Sequence, residues 1–381
     1  MYKVMTPGPT QVKENVRMAR SLVCTNPDLD EDFVEFYKDT CELISSLLGT
    51  KNETLILDGE GILGLEAACA SLTEPGDKVL IIENGVYGEG FADFVSMYGG
   101  VPEFYHADRL NAIDPDALSS YLKEHHDYKY ATVVHCDTPS GMLNPVEKIC
   151  PLLKEYGILT VVDSVSGMFG NHVDVDKFQI DLLCGGSQKA VSAPPGLTFV
   201  TLSDAVKEAM HARKTPIRSF YASLLAFEGY YEKKWFPYTM PISDIYGLRA
   251  AFDNIAADTV LEERTHHIAE ATRNALTKAG IKLHLESGFS DTVTVFDIPA
   301  ETTCDAILSR MKKEHNIMLA GSFDDLSGKV IRIGHMGNNA NFEDMAATMY
   351  ALSETLTFLG VKLNGNLAEL FLNYYRQEDI C

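Results

Sequence analysis

The strongest constraint on this chain is an alternation. Up to about residue 200, short and nearly continuous apolar runs bounded by turn residues take turns with amphipathic stretches. They read TLILDG then GILGLEAACASL, KVLIIEN then GEGFADFVSMYG, YATVVHCDTPSG then PVEKICPLLKEYG, and ILTVVDSVSG ahead of DLLCGG and GLTFVTLS. A strand that is apolar on both faces must be covered on both, and helices between successive strands do the covering. The pattern predicts a doubly wound α/β domain with a mostly parallel sheet. Local punctuation agrees: Asp114-Pro115 supplies a helix cap followed by proline at the first turn, and Gly157 closes the helix that ends KEYG.

After about residue 245 the pattern changes. Two long helical stretches, ISDIYGLRAAFDNIAADTV and EERTHHIAEATRNALTKAG, precede a strand (DTVTVFDI), a helix (CDAILSRMKKEH), a strand (KVIRIGHMG) and a final helix from about Asn341. This reads as a smaller α+β domain. The expected division is a segment over 1–15 packing near the active site, a large domain over 16–250 and a small C-terminal domain over 251–381. The soft prior of ~150 residues per domain allows that division for a chain of 381 residues. The stretch from about 213 to 243, rich in aromatics and proline, is read as an interface.

Composition narrows the partners. A formal charge of −22 with no Lys/Arg block repels nucleic-acid phosphates and anionic lipid, so neither nucleic acid nor membrane is expected as a partner. No stretch approaches the ~20 apolar residues of a membrane span, and MYKVMTPGPTQV has no basic region leading into a hydrophobic run. A cytoplasmic protein is expected. Eight cysteines without a C-x-x-C pair read as reduced packing residues. His125-His126 and His266-His267 are adjacent pairs whose side chains diverge on a helix, so no metal site is expected.

In an open parallel sheet, ligands bind beyond the carboxyl ends of the strands. Four places there carry polar residues: Gly59-Glu60-Gly61, His135 to Gly141, Asp163 to Gly167, and Gly185 to Lys189. Asp163 alone reads as a turn former, and Lys189 alone as a solvated charge. Together they allow a different chemistry. A sheltered lysine loses proton affinity and can condense with an aldehyde near neutral pH, and an acid against a pyridine nitrogen keeps that ring cationic. Spacing alone leaves this pyridoxal reading beside the bland ones. A nucleotide site lacks support, because no G-x-G-x-x-G or Walker loop follows the first strand.

TPGPT, GLEAA, DTPSG, VVDSVSG, GSQKAVSAPPGL and RIGHMG stand in this order over nearly the whole chain. They resemble the class V aminotransferases of the alanine:glyoxylate and serine:pyruvate type, which are fold-type I enzymes. The resemblance implies Lys189 as the Schiff-base lysine, Asp163 on the pyridine nitrogen, Tyr87 stacked on the ring and Thr138 on its phenolic oxygen. Gly61, Ile62, Val165 and Gln188 complete the implied cofactor-binding set, with Thr239. Arg332 is implied to grip the substrate carboxylate, a task suited to a planar guanidinium. The resemblance further implies pyridoxal 5'-phosphate as cofactor, small-molecule substrates (an amine and a 2-oxo acid), and a homodimer or dimer of dimers with shared active sites.

Two departures qualify it. The phosphate-binding turn reads Asp58-Gly59-Glu60-Gly61, and a Glu60 side chain directed inward repels a phosphate dianion. Phe236 in FPYTMP stands where many relatives place a phosphate-contacting tyrosine from the other subunit. Both changes resemble the pyridoxamine:pyruvate branch of the family, which acts in vitamin B6 degradation. There free pyridoxamine or pyridoxal is bound as substrate, and Glu60 accepts a hydrogen bond from the free hydroxymethyl group. Gln188 and Thr239 match the phosphate-using relatives instead, and Phe323 stands where that branch is expected to carry a second arginine. The expected reaction is amino transfer between pyridoxamine and pyruvate to give pyridoxal and alanine. The alternative is a conventional phosphate-dependent alanine:glyoxylate or serine:pyruvate aminotransferase. A cysteine desulfurase would want a mobile-loop cysteine, and neither Cys304 nor Cys381 lies in a recognisable loop motif of that kind.

Overall fold

A computed structural model describes residues 2–378. Seven strands form the main sheet: β1 (Glu53–Asp58), β2 (Lys78–Glu83), β3 (Val101–His106), β4 (Tyr130–Val134), β5 (Leu159–Asp163), β6 (Leu182–Gly186) and β7 (Leu197–Leu202). Their spatial order is β1-β7-β6-β5-β4-β2-β3. Only β7 runs against its neighbours β1 and β6, while the other adjacent pairs are parallel. Strands β4, β6 and β7 are buried at every position, as a sheet covered on both faces requires.

Two features of this sheet differ from the sequence reading or extend it. Strand β3 (VPEFYH) was not anticipated, because it is an edge strand with a proline and no fully buried residue, so its apolar run is broken. Strand β7 is antiparallel because the loop 187–196 holds no crossover helix, and a short connection can only return the chain beside β6 in the opposite sense. That loop carries Lys189.

The second part of the chain pairs β8 (Val293–Asp297) antiparallel with β9 (Val330–Gly334). Packed around this pair are the helices Leu261–Lys278, Cys304–His315 and Phe342–Phe358. A further helix, Leu367–Glu378, replaces the single final helix expected: Gly360, with φ of 90°, breaks the chain after Phe358. The chain's start belongs here too, since Lys3–Val4 pairs parallel with Ile317–Met318 and Met5 is fully buried in this second core. Among the described residues no helix is long and apolar enough to cross a membrane. The seven described cysteines are free thiols, six of them buried, and Cys381 lies outside the described residues.

Candidate active site

The carboxyl ends of β1, β4, β5 and β6 open onto one cavity of about 320 Å³. Nine of the residues singled out in the sequence line it: Glu60, Gly61, Ile62, Tyr87, Thr138, Asp163, Val165, Gln188 and Lys189. Each sits where an apolar run ends. Strand β5 ends on Asp163, β6 runs through Gly185-Gly186 into Gln188 and Lys189, and the turn after β1 delivers Glu60 as the cap of helix Gly61–Leu72.

Lys189 is held by the start of the chain. Its Nζ donates to Pro7 O at 2.9 Å, and Thr10 Oγ1 donates to Lys189 O at 2.9 Å. Gly8 has φ of 111°, and a Cβ there would stand 2.5 Å from Lys189 Cδ, so only glycine lets the segment pass. Burial, aided by the charge of Arg332, depresses the lysine to about 8. Asp163 is 4% exposed, and its Oδ1 accepts the Val165 N–H at 2.9 Å. Burial pushes its carboxyl up to about 7, against the backbone hydrogen bond and the Lys189 charge that favour ionisation. An acid and an amine that both titrate near neutrality in one cavity mark a site of proton chemistry.

Glu60 places a negative charge at the opening turn of helix Gly61–Leu72. Its Oε2 accepts the Ile62 N–H at 3.0 Å, and its Oε1 accepts the Gln188 amide. Gln188 is 4% exposed and its Oε1 is buried without a partner. The Thr138 and Ser166 hydroxyls are bonded to each other beside Asp163. The Tyr87 N–H donates to Asp137 Oδ1 at 3.3 Å, and burial raises the Tyr87 phenol.

Two implied residues do not line the cavity. Arg332, on β9, stands behind Thr138: its Nη1 donates to Thr138 O at 3.3 Å and its Nε to Gly321 O at 2.6 Å. It forms no ion pair among the described residues. Thr239 is exposed, its Oγ1 3.4 Å from Asp28 Oδ2, and within one chain it does not reach the cavity. Phe236 does not reach outward either. It is 1% exposed, with its ring 4.9 Å from Tyr37 and 5.5 Å from Tyr230, because that aromatic cluster provides apolar cover on all sides. His335 packs rather than lines the site, bonded to Thr294 Oγ1 and Asp291 O. Cys304 begins a helix, with its Sγ 3.8 Å from Val330 O, and not a mobile loop.

Sequence reasoning missed Pro7 O, Leu65 and Pro195, and it marked the stretches that hold Cys136 and Ser166 without naming either residue. Ser166 lay in plain view in DSVSG. A backbone oxygen leaves no signal in residue types.

Residues 11–291 match the family described as Aminotransferase class-V. The chain is 35% identical over 376 residues to an aminotransferase of Methanocaldococcus jannaschii, which covers 96% of both chains. It is 31% identical over 341 residues to the pyridoxamine–pyruvate transaminase of Mesorhizobium japonicum, covering 88% of this chain and 87% of that one. The structure matches that of ureidoglycine-glyoxylate aminotransferase from Bacillus subtilis with a TM-score of 0.94 and 27% identity, over 99% and 98% of the two chains. A family match over most of the chain, with relatives alike from end to end, makes this protein a member of the class-V aminotransferases.

Proposed function

We propose that this aminotransferase moves an amino group between free pyridoxamine and pyruvate, giving pyridoxal and alanine, with unphosphorylated vitamin B6 entering as a substrate to be consumed. Glu60 carries the reading. Its carboxylate already answers the positive end of helix Gly61–Leu72 and holds the Gln188 amide. A phosphate brought to that turn meets a like charge, at a cost on the order of 1 kcal/mol in water and about 4 kcal/mol near a protein surface for charges ~4 Å apart. A hydroxymethyl group donates its single proton to Glu60 instead, with the unpartnered Gln188 Oε1 as the alternative acceptor. The likeness to a pyridoxamine–pyruvate transaminase supports the same choice.

Class-V aminotransferases use pyridoxal phosphate, and the residues present fit its ring, phosphorylated or not. The buried acid suits a pyridine nitrogen, the Thr138–Ser166 hydroxyl pair suits a phenolic oxygen, Tyr87 offers an aromatic face, and Lys189 offers an amine. When bound, the ring supplies an electron sink for the exchange of amino group and proton. Asp163 then holds a proton on the ring nitrogen, regaining the charge that burial disfavours. Lys189, depressed to about 8, keeps a sizeable neutral fraction at neutral pH and shuttles a proton at the substrate carbon. Arg332 turns its fork to the carboxylate of the 2-oxo acid.

Segments 22–29 and 220–239 expose Val23, Leu29, Phe220, Tyr221 and Trp235. The Thr239–Asp28 contact ties the two segments together, and Cys24 meets Ser243 just beyond the second. This apolar surface supports a homodimer that buries it and brings Thr239 toward the partner's cavity. The free thiols fit a reducing compartment such as the cytoplasm.

The phosphate-dependent reading keeps one observation in its favour: Glu60 is exposed, and if it turned to solvent it would free the Ile62 N–H and the Gln188 amide for an anion. Turnover assays with free pyridoxamine or alanine as donor, and pyruvate or glyoxylate as acceptor, decide between the two. Pyridoxamine with pyruvate is expected to be the fastest pair. A protein that keeps phosphorylated cofactor through dialysis and ignores free pyridoxamine overturns the proposal.

A further inference from the structure

The helix that carries Tyr87 starts without a cap of its own. Helix Val86–Met97 opens on Gly85, which has no side chain to accept the first orphan N–H groups. A carboxylate from another segment does so instead. Asp137 sits just past β4 in a two-residue strand, Cys136–Asp137, that pairs antiparallel with Met142–Leu143. Its Oδ1 accepts the Tyr87 N–H at 3.3 Å, the N–H at the second helical position. Its Oδ2 accepts the Ser140 N–H at 3.2 Å and the Ser140 hydroxyl at 2.6 Å, which fixes the plane of the carboxylate.

Gly85 is what lets the two segments meet. A Cβ there would stand 2.4 Å from Asp137 Cγ, closer than side chains approach. One residue earlier, the amides of Asn84 and Asn144 bond each other at 2.9 Å in both directions and hold the same two loops together. Asp137 is 1% exposed. Burial raises its carboxyl, and the Ser140 and Tyr87 hydrogen bonds and the Arg332 charge oppose that rise. A cap alone would be served by Ser or Asp at position 85. A glycine there with an acid brought from the neighbouring loop does more, because it sets where the two loops stand relative to each other. Tyr87 and Thr138, the residue next to Asp137, both line the cavity.

We infer that Asp137 is a positioning residue: by capping helix Val86–Met97 from the segment that leads to Thr138, it fixes the Tyr87 ring against the face of the vitamin B6 ring. The inference rests on Tyr87 meeting that ring, as proposed above, and not on which form of the vitamin is used.

The test is an equilibrium titration of the ligand-free protein with pyridoxal, followed by visible absorption and by the circular dichroism that the chromophore acquires on binding. If pyridoxal does not bind, the reading of free vitamin B6 as substrate has failed, and the same comparison is made with pyridoxal 5'-phosphate. Y87A is expected to weaken binding about tenfold and to reduce the induced dichroism. D137A is expected to weaken it about fivefold with the same loss of dichroism, and the double variant to stay within about twofold of Y87A, because Asp137 acts through Tyr87. D137N keeps an oxygen for the Tyr87 N–H and is expected to stay within about twofold of wild type. G85A drives the carboxylate off without altering it and is expected to match D137A, whose place in the cycle it takes should D137A not fold. Additive losses in the double variant overturn the inference, as a merely structural role would give. So does a folded D137A or G85A that binds like wild type, a D137N as weak as D137A, or a Y87A with undiminished affinity.

Discussion

The two sides of the cavity differ in the charge they leave unanswered. On the Glu60 side a carboxylate caps a helix and gathers the Gln188 amide, so the positive helix end offers an incoming anion nothing. On the other side, behind Thr138, the Arg332 guanidinium rests on two carbonyls and feels the Asp137 carboxylate without an ion pair to it, so it is left short of a direct anion partner. Both sides are built from ordinary elements, a helix start and a strand. On the proposed function, the difference amounts to selection by polarity: a carboxylate taken on the Arg332 side, a neutral hydrogen-bond donor on the Glu60 side.

The sharpest way to probe the comparison is first to remove the chemistry both sides serve. Lys189→Ala is expected to lower turnover by about a thousandfold or more for every donor and acceptor, measured as steady-state kcat. Unchanged turnover would show that the amine is not the proton carrier. Next, Arg332→Leu breaks one side alone. Its kcat/KM for pyruvate is expected to fall about a hundredfold while KM for pyridoxamine stays near the wild-type value. Equal losses for both substrates would erase the distinction between the two sides. Glu60→Gln keeps the shape of the other side and removes its charge, and a shift of about tenfold toward phosphorylated pyridoxamine is expected in the ratio of kcat/KM values.

The smallest effect is on stability. The folded protein holds the Asp163 proton up to about pH 7, whereas the unfolded chain releases it near 3.8. Between those values the folded state carries the extra proton, so stability falls as pH rises, and the full penalty is present above about 7. Asp163→Asn carries no such penalty. Its ligand-free Tm is expected to exceed that of wild type by several degrees at about pH 8 and to match it near pH 4. A variant with a lower Tm at both values would mean that the carboxylate is not strained by burial.

Much of this was legible in residue order. Asp163 and Lys189 end apolar runs that can only be buried strands, so their placement at the rim of the sheet follows from the pattern. Glu60 was legible as an odd charge in a turn, but its bond to Gln188 was not, since that contact reaches past β7 between turns 128 residues apart. The aromatic stretch around Phe236 has no period to read. Which ring turns inward there depends on Phe33 and Tyr37, far off in sequence, and it is Phe236 that is buried, while Tyr238 stacks on Tyr221 at 4.3 Å. Strand β3 escaped notice because an edge strand needs no continuous apolar run. Arg109 pairs with Glu83, Glu89 and Asp325 through side chains alone, the last of them far off in sequence, which no local pattern encodes.

The most direct measurement is an equilibrium titration of the ligand-free protein with pyridoxal and, separately, with pyridoxal 5'-phosphate, followed by visible absorption. Tighter binding of the unphosphorylated aldehyde is the predicted result, since Glu60 accepts its hydroxymethyl group and opposes the phosphate. Tighter binding of the phosphate by about tenfold or more would contradict the account, because the charge at Glu60 would then not govern what the cavity admits.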